Sequence, residues 1–364
     1  MRRSNGEGSV FKNKSGKWVA QVTYYEAGKR KRKTRTANNR SDANSNLRKL
    51  HEEIQSGFLV GSETVGAYLK SWLENVEREN SENMFLSARN IMQNHVIPLI
   101  GKKHLAKLSP MDIQNMIDRL RDNGLGGRSV QLAYEYLNSA MVRAYSFRMI
   151  RENPCGPVRK PKHTYAKANP FTVEEVQKLM KHLKGHQFEN MIYVALTTGM
   201  RPGEVFGLFW EHVDLDNAKI HVKQQLSNAG GVKKLKPPKT KSSVRTIDIS
   251  DATVDALIDQ RKQLMKSGHG GSEFVFLGRN GASVGYINFQ KTWTGILEDA
   301  EIEHRGFHQV RHTFATFAIS SGVPITVVSD TLGHSNTAIT LGIYAHVMPS
   351  QRSDATNAVS KIIG

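Results

Sequence analysis

Beyond about residue 60 the apolar residues of this chain recur every three or four positions in almost every segment, which commits most of it to amphipathic helices. "TVGAYLKSWLENV", "NMFLSARNIMQNHVIPLI", "SPMDIQNMIDRLRDNG" and "GRSVQLAYEYLNSAMVRAYSFRMI" all read so, the third opening with Ser109 as cap and Pro110 at the first helical position. The first 40 residues follow another period. "KWVAQVTYY" alternates between turns at "KSG" and "EAG", as a short sheet would. A helix, "SDANSNLRKLHEEIQSG", follows, with Ser41 as its expected cap and Gly57 as its stop. After the second domain comes "RENPCGPVRKPKHTYAKANP", rich in Pro and Lys, which reads as an exposed basic linker. The remainder opens on "TVEEVQKLMKHL", where Thr172 and Glu175 form a capping box. A helix, a glycine break, a second helix and a strand follow. "KKLKPPKTKSSVRTIDIS" reads as a hairpin with Val244, Ile247 and Ile249 in its second strand, and helices are predicted at about 251–266, 284–299, 307–321 and 324–332.

The expected fold is therefore multidomain, mainly α with small β elements. A three-stranded sheet plus helix occupies 1–61, a helical bundle 62–155, the linker 156–170, and a mixed but mostly helical domain 171–364. With 364 residues and 38% hydrophobic content, two or three cored domains fit.

Charge narrows the class of partner. The net charge is +18, and residues 1–60 hold 14 Lys and Arg against 5 Asp and Glu, half the excess in about a sixth of the chain. A protein this basic is expected to meet a polyanion, nucleic acid above all. Lys17, Trp18, Lys29, Arg30, Lys31, Arg32, Lys33 and Arg35, interleaved with Tyr24 and Tyr25, suit a β-ribbon entering a DNA groove. A disordered basic tail would carry the same charge but not the alternation. The single cysteine, Cys155, allows no internal disulfide and no cysteine zinc site. No apolar run has the length of a membrane span and "MRRSNGEGSV" is no signal peptide, so a soluble, intracellular protein without membrane contact is expected. Neither a GxxxxGK[ST] phosphate loop nor a dinucleotide glycine fingerprint is present.

"GFHQVRHTFATFAISSG" carries the most chemistry. On a helix, Val310, Phe314 and Phe317 share one stripe while His308, Arg311 and His312 fall opposite. Three readings compete: a solvated polar face, a metal site built on His304, His308 and His312, and a phosphate site using the planar donor fork of arginine. The last predicts further basic groups at loop–helix junctions of the same domain. "TTGMRPGEVFGL" supplies Arg201 after a glycine break with Glu204 three residues on, "PPKTKSS" puts Lys239 at a hairpin tip, and "TLGHSNTAITLGIYAHV" gives His334 with Tyr344 ten residues later.

The ordered set "TGMRPGE … PKTK … HQVRHTFAT … LGHS … Y" resembles the tyrosine recombinases, the phage-integrase family of site-specific DNA strand exchangers, over about 171–350. The resemblance implies a core-site-binding helical domain at 62–155, an arm-site-binding domain at 1–61, and catalytic roles for Arg201, Lys239, His308, Arg311, His334 and Tyr344. Tyr344 would be the nucleophile, forming a 3′-phosphotyrosine that keeps the phosphoester energy for rejoining. Arg201 and Arg311 would clamp the non-bridging oxygens, His308 and His334 would bond phosphate and manage the tyrosine proton, and Lys239 would protonate the leaving 5′ oxygen, with Lys241 a rival. Glu204 would orient a neighbouring group, or simply cap its helix. Arg311 beside the histidines disfavours the metal reading, so neither metal nor cofactor is expected. Implied partners are double-stranded DNA attachment sites of core and arm type, a homo-tetramer passing through a Holliday junction, a host DNA-bending protein and an excision factor, in a bacterial cytoplasm at the nucleoid. A type IB topoisomerase-like nicking–closing enzyme and a non-catalytic DNA-binding regulator are the alternatives. The arm-like N-terminus speaks against the first and the complete catalytic set against the second.

Overall fold

A computed structural model describes residues 8–26, 29–55, 63–164, 168–229, 232–238, 243–278 and 280–344. They fall into two compact units that divide at residue 164.

In the first unit Ser9–Lys12 (β1), Trp18–Glu26 (β2) and Lys29–Ala37 (β3) form an antiparallel sheet in that order. Arg40–Gln55 (α1) covers one face and helps bury Ala20, Val22 and Leu50. Its cap is Asn39, not Ser41. The Asp42 amide donates to Asn39 Oδ1 at 2.8 Å, and Asn39 Nδ2 donates back to Asp42 Oδ2 at 2.9 Å. A cap must precede its donor amide by two or three residues, and Ser41 already stands inside the first turn. The expected stop, Gly57, lies outside the described residues.

The bundle comprises Val65–Glu79 (α2), Glu82–Ile91 (α3), Ile97–Ile100 (α4), Pro110–Asp122 (α5) and Gly127–Ser146 (α6) around Leu69, Trp72, Met92, Ile113, Ile117 and Leu137. Ser109 and Asp112 form a capping box at α5. The stretch 83–100, predicted as one helix, widens into a π turn at Met92–Val96, where the Ile97 amide reaches back five residues to Met92 O. Pro98 explains this: it has no N–H, and its ring crowds the carbonyl four residues back, so the ladder loosens ahead of it. The exposed linker expected over 156–170 also needs correction at its start. Tyr134 Oη donates to the carbonyls of Cys155 (3.0 Å) and Val158 (3.1 Å), both residues being buried in the bundle core. Pro, Cys and Val are apolar surface as well as turn formers, and a composition read for turns hides that.

In the second unit Val173–His182 (α7), Glu189–Thr198 (α8), Pro202–Phe206 (α9), Asp251–Lys266 (α10), Tyr286–Asp299 (α11), His308–Ser320 (α12), Ile325–Leu332 (α13) and Thr337–Tyr344 (α14) accompany two small sheets. The Thr172–Glu175 capping box is present. An aromatic core of Phe171, Phe206, Phe289, Trp293 and Phe307 packs edge-on or stacked at 4.7–6.3 Å between centroids. One sheet orders Val213–Asp214 (β4), Lys219–Val222 (β5) and Arg245–Asp248 (β8); the other is a ribbon of Gln225–Ala229 (β6) and Val232–Lys236 (β7). The predicted hairpin is thus corrected. Its two arms do not pair: β7 pairs β6, and β8 pairs β5, with Ile220 facing Ile247. The inward Ile247 and Ile249 need a buried partner strand, and β5 with Ile220 and Val222 supplies it, whereas β7 is a charged, exposed ribbon. Val244 lies before the strand and is exposed.

Candidate active site

Three carbonyls at the end of α13 organise the site. Thr331 O accepts from Arg245 Nε, Leu332 O from Arg311 Nη2 at 2.8 Å, and Gly333 O from Arg201 Nη2 at 3.1 Å. The last carbonyls of a helix lack intrahelical donors and carry the negative end of its dipole, so this terminus is a natural anchor for cations. Gly333, in the left-handed region at φ 67°, turns the chain there, and His334 follows directly.

Arg311 lies in the first turn of α12 and is 3% exposed. Arg311 does not lie on a solvated face as a simple amphipathic reading would have it: it turns onto α8 and α13. There Arg311 Nη1 donates to Gly199 O at 2.9 Å, joining the ends of two helices. Gly199 closes α8 at φ 62°, and a Cβ there would stand 2.4 Å from Phe314 Cδ1, so a side chain is excluded both by conformation and by space.

Arg201 sits just ahead of α9. Its amide donates to Glu204 Oε2 and its Nη1 to Glu204 Oε1, both at 2.9 Å. Glu204 is 2% exposed and also receives a fork from Arg245, Nη1 to Oε1 at 3.2 Å and Nη2 to Oε2 at 3.0 Å. Glu204 thus caps α9 and is hydrogen-bonded to two arginines. Burial pushes its pKa up, but the Arg245 fork, the Arg201 amide and the Arg201 charge outweigh that and hold the carboxyl below its ordinary range. Among the described residues nothing accepts from Arg201 Nε, so that edge of the guanidinium retains donors for an anion.

The histidines complete the cluster. His334 Nδ1 is 2.7 Å from the buried Thr340 Oγ1 of α14. His308 has an exposed edge, and its ring meets that of His312 edge-on at 5.0 Å. Burial, then His312, Arg311 and Arg201, push the His308 pKa down to about 4, with Glu204 opposing. Burial, then Arg311, Arg201, His312 and Arg245, push His334 down to about 4 as well. Both rings are neutral near pH 7 in the free protein. An unfolded histidine titrates near 6.5. As pH falls from about 6.5 to about 4 the unfolded chain therefore takes up protons the native state does not, and stability is lost across that window. Urea midpoints at pH 7 and pH 5 should show this decline, and His308→Gln and His334→Gln should each flatten it. An identical decline in all three proteins would count against the linkage.

Arg201, Glu204, His308, Arg311 and His334 are thus gathered around one helix end. Lys239 and its rival Lys241 lie outside the described residues. Tyr344 is the last residue of α14, one turn beyond Thr340, and its side chain lies outside the description. Arg245 escaped the sequence reading, although a signal was there: it stands two residues before the inward Ile247, so strand alternation turns it inward too. Among the described residues no group of three His, Cys, Asp or Glu is arranged to hold a metal, and no helix is long and apolar enough to cross a membrane.

In the N-terminal sheet the basic run divides by register. Arg30 and Arg32 pair with Tyr25 and Thr23 on the face away from α1, whereas Lys33 and Arg35 pair with Val22 and Ala20 on the helix-covered face, with Lys31 continuing that row. Lys17 is exposed in the turn before β2, and the Lys29 side chain lies outside the description. The Trp18 ring has Lys12 Nζ at 5.5 Å and the Arg40 guanidinium at 5.7 Å.

The chain matches the phage integrase family over residues 169–351 and the SAM-like N-terminal domain of phage integrases over 64–121. A protein of Caldanaerobacter subterraneus named as tyrosine recombinase XerC-like is 28% identical, with 96% of this chain and 97% of that protein covered. Among solved structures, the Tn1549 transposon integrase in complex with a circular intermediate DNA is 20% identical with a TM-score of 0.70, covering 83% of this chain and all of that one. A lambda integrase tetramer bound to a Holliday junction is 15% identical with a TM-score of 0.60, covering 96% and 97%.

Proposed function

The chain belongs to the phage integrase family, the tyrosine recombinases that cleave and rejoin DNA at specific sites, and from that premise we propose that Tyr344 attacks the scissile phosphate held by Arg201 and Arg311. The tyrosine oxygen forms a bond to phosphorus, the bond to the 5′ oxygen breaks, and a 3′-phosphotyrosine results. Lys239 gives its proton to the departing 5′ oxygen. His308 and His334, neutral in the free protein, can accept the tyrosine proton or bond a phosphate oxygen. A 5′ hydroxyl from the partner strand then reverses the sequence and expels the tyrosine. Because the bond energy is retained in the ester, neither ATP nor metal is required. The observation that carries this reading is the anchoring of three guanidiniums on consecutive carbonyls of one helix end, which fixes Arg201 and Arg311 in place before substrate arrives.

The substrate is duplex DNA carrying core and arm attachment sites. Four subunits exchange strands through a Holliday junction, a host DNA-bending protein and an excision factor set the direction, and the enzyme works in the bacterial cytoplasm on the nucleoid. The Tn1549 transposon integrase in complex with a circular intermediate DNA and the lambda integrase tetramer bound to a Holliday junction support the DNA part of this scheme. The direct test is a duplex nicked near the scissile phosphate, from which the short 5′-hydroxyl fragment diffuses away. A recombinase accumulates a denaturant-resistant protein–DNA adduct on it in the presence of EDTA, and a regulator that only binds accumulates none.

The N-terminal sheet is proposed to bind arm sites through its open face. Arg30→Ala combined with Arg32→Ala should weaken binding to arm-containing DNA and lower the slope of log K against log salt by up to about 0.9 per lost phosphate contact. Binding to a core site alone should not change. Unaltered slopes on the arm substrate would remove this face from the interface.

A further inference from the structure

Among the described residues, Arg245 and Glu204 are charged side chains lining this cluster to which the proposed chemistry gives no step, and Arg245 is the one that reaches both Glu204 and the end of α13. It opens β8 opposite Val222, and its side chain is 7% exposed. Four of its five N–H donors are committed within the protein: Nε to Thr331 O, Nη1 to Glu204 Oε1 and Ser243 O at 3.2 Å each, Nη2 to Glu204 Oε2. A two-pronged fork fixes the plane of a carboxylate, which a single donor does not. That same carboxylate holds both the amide and Nη1 of Arg201.

Two consequences follow from the geometry. The first is orientation. With Glu204 fixed in its plane and Gly333 O on the other side, Arg201 is held at two points, and its Nε edge is left for an anion. The second is charge. Glu204 facing Arg201 alone would cancel it, whereas two guanidiniums around one carboxylate leave a net positive charge in a buried setting, where it acts most strongly on phosphate. Arg245 also ties the strand that follows residues 239–242 to the helix end just ahead of His334.

Resting on the recombinase reading, we propose that Arg245 is a positioning residue for strand cleavage, which acts through Glu204 to set the orientation and the unspent charge of Arg201. It does not touch the DNA itself.

The test uses the full-length protein and the nicked duplex under single-turnover conditions, with rates normalised to the final yield of adduct so that only folded, competent protein is counted. Arg245→Gln should slow cleavage at saturating DNA by on the order of 10- to 100-fold, the scale that a misplacement of about 1 Å produces. The DNA concentration for half-saturation should stay within about twofold. Arg245→Lys, which keeps the charge but loses the fork, should recover part of the rate, and it carries the test if the Gln variant does not fold. Glu204→Gln combined with Arg245→Gln should be no slower than the slower single variant, because both act on Arg201 through one contact. Normal rates at saturation with only a lowered melting temperature would overturn the proposal, as would fully additive losses in the double variant. Absence of adduct from the wild-type protein would overturn the recombinase reading and this one with it. Wild-type adduct with unaltered Arg245 variants overturns this one alone.

Discussion

Tyr344→Phe should leave no detectable covalent adduct on nicked attachment-site DNA while the protein still binds that DNA within about twofold of wild type. The substitution removes one hydroxyl, and with it the atom that would bond to phosphorus. Loss of a covalent nucleophile costs many orders of magnitude, so a drop of at least about 10³-fold, bounded by detection, is expected. Phenylalanine keeps the ring and the helical position at the end of α14, so fold and DNA affinity should survive. Tyr286 is the natural control. It lies on α11, is 38% exposed and accepts a hydrogen bond from Gln290 Nε2 at 3.1 Å. Tyr286→Phe should cleave at the wild-type rate. Adduct formed by Tyr344→Phe at an undiminished rate would move the nucleophile elsewhere, and a matching loss in Tyr286→Phe would name the replacement.

How much of this site the sequence discloses depends on the range of the interactions involved. The helices at 251–266 and 324–332 are local objects, set by three-to-four spacing and terminal residues, and they stand within two residues of expectation. The Ser109 and Thr172 caps are equally local. Strand pairing is not. The identity of the partner of β8 depends on β5, more than 20 residues earlier, and nothing within "SSVRTIDIS" states it. Arg311 shows the same limit. Its neighbours in sequence place it opposite an apolar stripe, which suggests solvent, but α8 and α13 both return to cover it, and its partners are carbonyls of residues 199 and 332. Backbone acceptors carry no side-chain signature, so the anchoring of the arginines is invisible in a motif. What the motif does give is the inventory of donors, because an arginine that must be buried needs acceptors, and helix ends supply them. Asn39 and Pro98, by contrast, act locally, one through a capping side chain and the other through its missing N–H.

Lys239→Ala should slow cleavage at an ordinary phosphodiester by about 10²- to 10⁴-fold, the usual range for removing a positioned general acid, and should cut a 5′-bridging phosphorothiolate within a few-fold of wild type. Departure of the 5′ oxygen creates an alkoxide unless a proton arrives with it. A thiolate is a far better leaving group and needs none, so the defect vanishes only where the missing group was the acid. Lys241 stands two residues on from Lys239 in the sequence, and the substrate pair distinguishes the two. Rescue by sulfur in Lys239→Ala, with Lys241→Ala cutting both substrates normally, assigns the proton to Lys239. The converse pattern transfers it to Lys241, and equal slowing of both substrates by both variants would mean that neither amine delivers it and that the acid must be sought among the groups around Arg201.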